Sequence, residues 1–136
     1  MYLVLIMGQG FDEARKHAEL ALAIFNEGLS FINKGDVVQS SGKLYKAVEE
    51  AIKALAIAKG LDEAREAMSK DRWTVSLLDK AAIKLGNNVR QAWAEAYFLH
   101  VNGFHEVRIG IDEVKARLPI IQRLIDEAGR EFNSQE

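Results

Sequence analysis

The sequence predicts an all-α protein, an antiparallel up-and-down helical bundle of about five helices, and three observations carry that expectation. Apolar residues recur every three or four positions through most of the chain. Glycines fall at the ends of those runs, where helices stop, and a single proline interrupts 136 residues. After the opening residues no segment reads as a strand, so there is no sheet to build. A chain of this length suits one domain that can bury one core without staples. Its 49% hydrophobic and 28% charged composition excludes a disordered chain and a fibrous repeat.

The elements follow in order. Residues 1–11 are expected to form an apolar N-terminal arm, 12–132 a single helical domain, and 133–136 a fraying tail. The arm opens MYLVLIM, too short to cross a membrane and without the basic region of a signal peptide. A start at Met7 is an alternative. YLVLIMGQGF could also be a strand entering a glycine turn, the opening of a dinucleotide-binding fold, but Glu13 stands where that motif needs its third glycine.

Asp12 is expected to cap the first helix, whose Ala14, Ala18, Ala21, Phe25 and Ile32 keep helical spacing up to Gly35. Asp36 caps the second, with Val37, Ser41, Leu44, Val48, Ile52 and Leu55 on one face and the pairs Lys46–Glu50 and Glu49–Lys53 on the other. A short helix is expected from Asp62 to Met68, another from Asp71 to Gly86, and an aromatic helix capped by Asn88. Asp112 should cap the last, which carries Val114, Leu118, Ile121, Ile125, Ala128 and Phe132; Pro119 within it requires a kink or a helix start. Residues 21–52 also fit one tetratricopeptide unit (Gly28, Phe31, the Gly35–Asp36 turn, Ser40, Ala47). No second copy follows near a 34-residue period.

One stretch hints at chemistry. In NVRQAWAEAYFLHVNGFHE, residues 88–106, Trp93, Tyr97, His100 and Phe104 fall on one helical face. A titratable ring on an aromatic face is either satisfied by a partner or present for function. These four are the expected binding residues. The structural alternative is a buried His100 that donates to a carbonyl or carboxylate beneath an aromatic core or dimer interface. His105 and Glu106 would then cap carbonyls at a helix end or bridge to a neighbouring helix, and His17 would face solvent. As metal ligands, His100 and His105 are poorly spaced: five residues apart on a straight α-helix, their rings diverge by about 140°. A break at Gly103 could change that, but no further ligand suggests itself, so no metal and no cofactor are expected.

The runs GDVVQSSGKLYKAVEEAIKAL (Gly35–Leu55) and LHVNGFHE (Leu99–Glu106) resemble the paired signatures of the archaeal PaREP family, in that order. Ser40 departs from the alanine usual in the family. The resemblance covers about residues 12–130 and implies a helical bundle similar to HEPN and nucleotidyltransferase-substrate-binding domains. Those domains include metal-independent ribonucleases and non-catalytic partners of small nucleotidyltransferases, often as homodimers. The ribonuclease motif is R-x4-6-H, in which arginine would steady phosphate charge and histidine would transfer protons. Here Arg90 lies ten positions before His100, and Arg108 follows His105. No catalytic residue is therefore assigned; His100, His105, Glu106, Arg90 and Arg108 are the candidates.

A net charge of −2 gives no general pull toward nucleic acid, and Lys43, Lys46 and Lys53 share their helix with Glu49 and Glu50. The absence of cysteine fits a reducing cytoplasm and excludes thiolate metal sites. The expectation is a cytoplasmic, homodimeric binding or interaction module with a protein partner and no membrane. The alternatives are a HEPN-like ribonuclease acting on RNA and a tetratricopeptide-like scaffold.

Overall fold

The computed structural model describes residues 2–133, with side chains from 10 to 132. Among the described residues every regular element is helical: α1 (Tyr2–Asn33), α2 (Val37–Ala58), α3 (Asp62–Lys70), α4 (Val75–Leu85), α5 (Asn87–Leu99), a π-helical turn (His100–His105), α6 (Ile111–Ala116) and α7 (Leu118–Asn133). The all-α expectation holds, with more segments than the five expected. The last helix is two, because Arg117 ends α6 and the fixed φ of Pro119 suits the first turn of α7.

The α1–α2 hairpin is the main packing unit, and α2 lies at the centre, touching α1, α4, α5, the π turn and α7. Alanines explain how close the pair comes. Ala14, Ala18 and Ala21 on α1 and Ala47, Ala51 and Ala54 on α2 are all buried in the one core the two helices share. A Cβ on Gly28 would lie 3.1 Å from Leu44 Cδ2, so this position also favours a residue with no side chain. Leu44, Val48, Ile52 and Leu55 are fully buried, as their spacing required, and each contributes about 1.5–3 kcal/mol of apolar transfer. Val114, Ile121, Ile125, Ala128 and Phe132 close the core from α6 and α7. The short α3 and α4, of nine and eleven residues, do not repeat the hairpin.

Several helix starts differ from the sequence reading. Asp36 does cap α2, accepting the Gln39 N–H at 2.9 Å, and Gly35 turns the chain at φ +71°. Asp12 instead lies inside α1, which begins at Tyr2, and it pairs with Arg15. The strand-and-turn reading of the opening residues falls with it. Asp71 ends α3 in the left-handed region, and Thr74 caps α4. Gly86 and Gly110 precede α5 and α6, where Asn88 and Asp112 were expected as caps. An aspartate or asparagine at a boundary serves either side of it, and only packing decides which. Of the tail expected to fray over 133–136, Asn133 is the last residue of α7 and 134–136 lie outside the described residues.

Candidate functional site

The π turn builds the site. The Glu106 N–H donates to the Val101 carbonyl, five residues back, at 2.8 Å. In a turn bonded this way residues five apart share a face, which an α-helix forbids. The rings of His100 and His105 therefore meet edge to face, with centroids 4.5 Å apart. This overturns the divergence expected from a straight helix. Phe104 stands edge-on to His105 at 4.9 Å and parallel to His100 within 8°, at 6.1 Å.

The turn lies against α2 through two glycines. A Cβ on Gly42 would sit 2.9 Å from the Phe104 ring, and one on Gly103 would sit 2.7 Å from Ser41 Cβ. Across that contact Tyr45 stacks on His100, at 4.1 Å and 19°. Tyr45, His100 and Phe104 thus form a run of nearly parallel rings, with Trp93 5.8 Å from Tyr45 on its inner side and Tyr97 beside both. Trp93 is buried and donates its indole N–H to Asp79 at 3.1 Å, whereas Tyr97 and Phe104 are each 40% exposed. The four residues expected from sequence do gather here, but they divide: Trp93 is core and Phe104 is surface.

A cavity of about 300 Å³ opens on this stack, lined by Tyr45, His100 and Phe104 together with Gln39, Lys43, Lys46 and Glu49. His100 is half-buried, and among the described residues its ring nitrogens have no hydrogen-bond partner, contrary to the buried donor expected. Burial first, and the neighbouring His105 second, hold its pKa below the ordinary histidine value, so the ring is neutral at neutral pH. Burial raises the Glu49 carboxyl, although Lys46 and Lys53 pull it down. Burial again, with Glu49 and Tyr97 behind it, pushes the Tyr45 phenol up to about 12.

The remaining candidates lie apart. Arg90 is exposed in the first turn of α5, ten residues and so about 15 Å along the helix from His100. Arg108 faces Glu106 at 3.9 Å, both exposed; Glu106 closes the π turn through its backbone N–H, as a cap at that end was expected to do, whereas His105 is the last residue of the turn. Among the described residues no group of three histidine, cysteine or carboxylate side chains could hold a metal ion, so His100 and His105 stand as a pair. His17, expected in solvent, instead meets Glu50 at 2.6 Å across the α1–α2 interface. Lys46 and Lys53 approach the same carboxylate at 3.4 and 3.6 Å, the cancellation of charge expected from their spacing. Burial alone would raise Glu50; the His17 hydrogen bond and these cations outweigh it and hold the pKa at about 2.

Sequence reasoning missed Tyr45, Gln39, Gly42 and Glu49. A glycine in the middle of a strongly periodic helix was the signal for Gly42, since only a close neighbour justifies its cost there.

The geometry defines an all-α bundle with an aromatic–histidine cavity between its central helix and a π turn. The chain belongs to the archaeal PaREP1/PaREP8 family, whose model matches residues 16–125. A crystal structure of a Sulfolobus solfataricus protein is similar, at 35% identity and TM-score 0.78, over 82% of this chain and 95% of that one. A solution structure of the Orf c02003 protein matches at 34% identity and TM-score 0.74, over 85% and 93%. No curated protein matches.

Proposed function

We propose that this chain is a non-catalytic binding module that receives a planar group in the Tyr45–His100–Phe104 cavity. One observation carries the reading: three nearly parallel rings line an open cavity, and the outermost is 40% exposed. A folded protein normally buries such rings, and an exposed stack offers π surface to a ligand or to a partner's side chain. Indole, titrated while the Trp93 and histidine resonances are followed by NMR, tests this. Saturable shifts confined to the cavity and lost in Phe104→Ala are expected; their absence would sink the reading.

The module acts as a homodimer in the cytoplasm, alongside a protein partner such as a small nucleotidyltransferase, as HEPN-type domains do. Exposed Leu22 on α1, which lines a surface cavity with Ile125 and Phe132, supports an interface, and light scattering that gives a monomer at micromolar concentration would exclude it. Among the described residues no helix is long and apolar enough to cross a membrane.

A HEPN-like ribonuclease is the second reading, favoured by a neutral His100 in contact with His105. The 15 Å of helix between Arg90 and His100 weighs against it, since phosphate charge needs a cation within contact distance. Incubating RNA with the protein in chelator, beside His100→Ala and His105→Ala, decides: cleavage lost in a folded variant would promote that histidine to a catalytic residue.

A further inference from the structure

Resting on the binding-module reading, we propose that the cavity takes a neutral nucleoside, with its base against the Tyr45–His100–Phe104 rings and its ribose in a polar extension beside them. A second cavity of about 580 Å³ adjoins the first along the N-terminal half of α2, and Gln39 and Lys43 line both. Its other walls are Glu27, Ser30, Phe31 and Asp36. One end of the combined groove is therefore π surface, and the other carries carboxylates and a hydroxyl. A planar heteroaromatic joined to a vicinal diol matches both ends. Bases stack on aromatic rings whatever their identity, and carboxylates accept hydrogen bonds from ribose hydroxyls. Asp36 uses one oxygen on the Gln39 N–H, which leaves the other for a hydroxyl. Gln39, at the junction, has both a donor and an acceptor to offer a base edge.

Charge separates a nucleoside from a nucleotide. Lys43 lies 2.7 Å from Glu27, and Lys46 is shared between Glu50 at 3.4 Å and Glu49 at 3.9 Å. Neither lysine lining the groove lacks a carboxylate partner. Three lining carboxylates, Glu27, Asp36 and Glu49, stand against those two ammoniums, and Lys34 rests over the ring of the lining residue Phe31 at 5.3 Å. A phosphate entering this groove meets a lining with one more carboxylate than ammonium, and both lining ammoniums already hold carboxylates.

Calorimetric titration of the full chain with adenosine, AMP and indole tests the proposal. Adenosine is expected to bind at least about fivefold more tightly than either. Phe104→Ala should weaken adenosine about tenfold. Glu27→Gln, a surface change that frees Lys43, should weaken adenosine and narrow its lead over AMP. AMP binding as tightly as adenosine, or adenosine binding unchanged in both folded variants, would overturn the proposal. Indole binding without adenosine would overturn the nucleoside and leave the planar-group cavity standing; binding by none of the three would remove both.

Discussion

Gly103→Ala sets two opposed effects against each other at the contact that forms the site. Replacing glycine by alanine within helical backbone ordinarily stabilises by about 0.5–1 kcal/mol, because the unfolded chain has less freedom to lose. At Gly103 the new methyl would lie 2.7 Å from Ser41 Cβ and closer still to its hydroxyl. A Cβ is fixed to the backbone, so no rotamer change relieves this, and the π turn and α2 must move apart. Overpacking of this kind costs about 1–3 kcal/mol, which exceeds the propensity gain. The net expectation is a loss of about 1–2 kcal/mol, or roughly 4 °C in Tm per kcal/mol. Urea denaturation followed by tryptophan fluorescence measures it. Gly129→Ala on α7, where nothing lies within 4 Å of the added methyl, is the control and should stabilise by about 0.5–1 kcal/mol. Ser41→Gly combined with Gly103→Ala should show a coupling of about 1 kcal/mol in a double-mutant cycle, since the clashing atoms are gone. A Gly103→Ala protein as stable as its parent, or a coupling within about 0.3 kcal/mol of zero, would refute the reasoning.

Acid should act on Glu50, whose pKa falls from 4.5 to about 2 on folding, so its stabilisation is complete above pH 4.5 and is lost as pH falls toward 2. About 3 kcal/mol is at stake, and denaturation across pH 2–6 should show a shallower acid slope in His17→Ala. His100 should titrate below 6.5 in a histidine NMR titration; because the unfolded ring protonates first, His100→Gln should flatten the loss of stability as pH drops below 6.5. Val107, directly beyond the π turn, holds φ +50°, which a β-branched residue adopts at a cost of about 1–2 kcal/mol. Val107→Gly is therefore expected to raise Tm by a few degrees, and an unchanged or lower value would count against strain at that position.

Much of the helical order was legible because helix formation is a matter of local periodicity. The faces of α1, α2 and α7 read from spacing are the faces the core buries, from Ala14 and Leu44 to Ile121 and Phe132. Pro119 likewise announced a kink or a helix start, and the structure makes it a start, where its missing N–H is harmless. Boundaries were less legible. Asp12, Asp71, Asn88 and Asp112 all looked like helix starts, yet none is an N-cap and Asp71 instead ends α3, because a capping side chain binds only where tertiary packing lets the backbone begin a turn.

The candidate site divides along the same line. The amino-acid order by itself put Trp93, Tyr97, His100 and Phe104 on one side of the chain and paired Lys46 with Glu50, because both follow from helical geometry within a single segment. Tertiary structure alone decided that a π turn replaces the last α-helical turn, that His105 swings round to His100, and that Tyr45 completes the ring stack from another helix. The physical reason lies between the segments: Gly42 and Gly103 give way only to the particular atoms that approach them, Phe104 and Ser41, and periodicity along one helix carries no record of what packs against it.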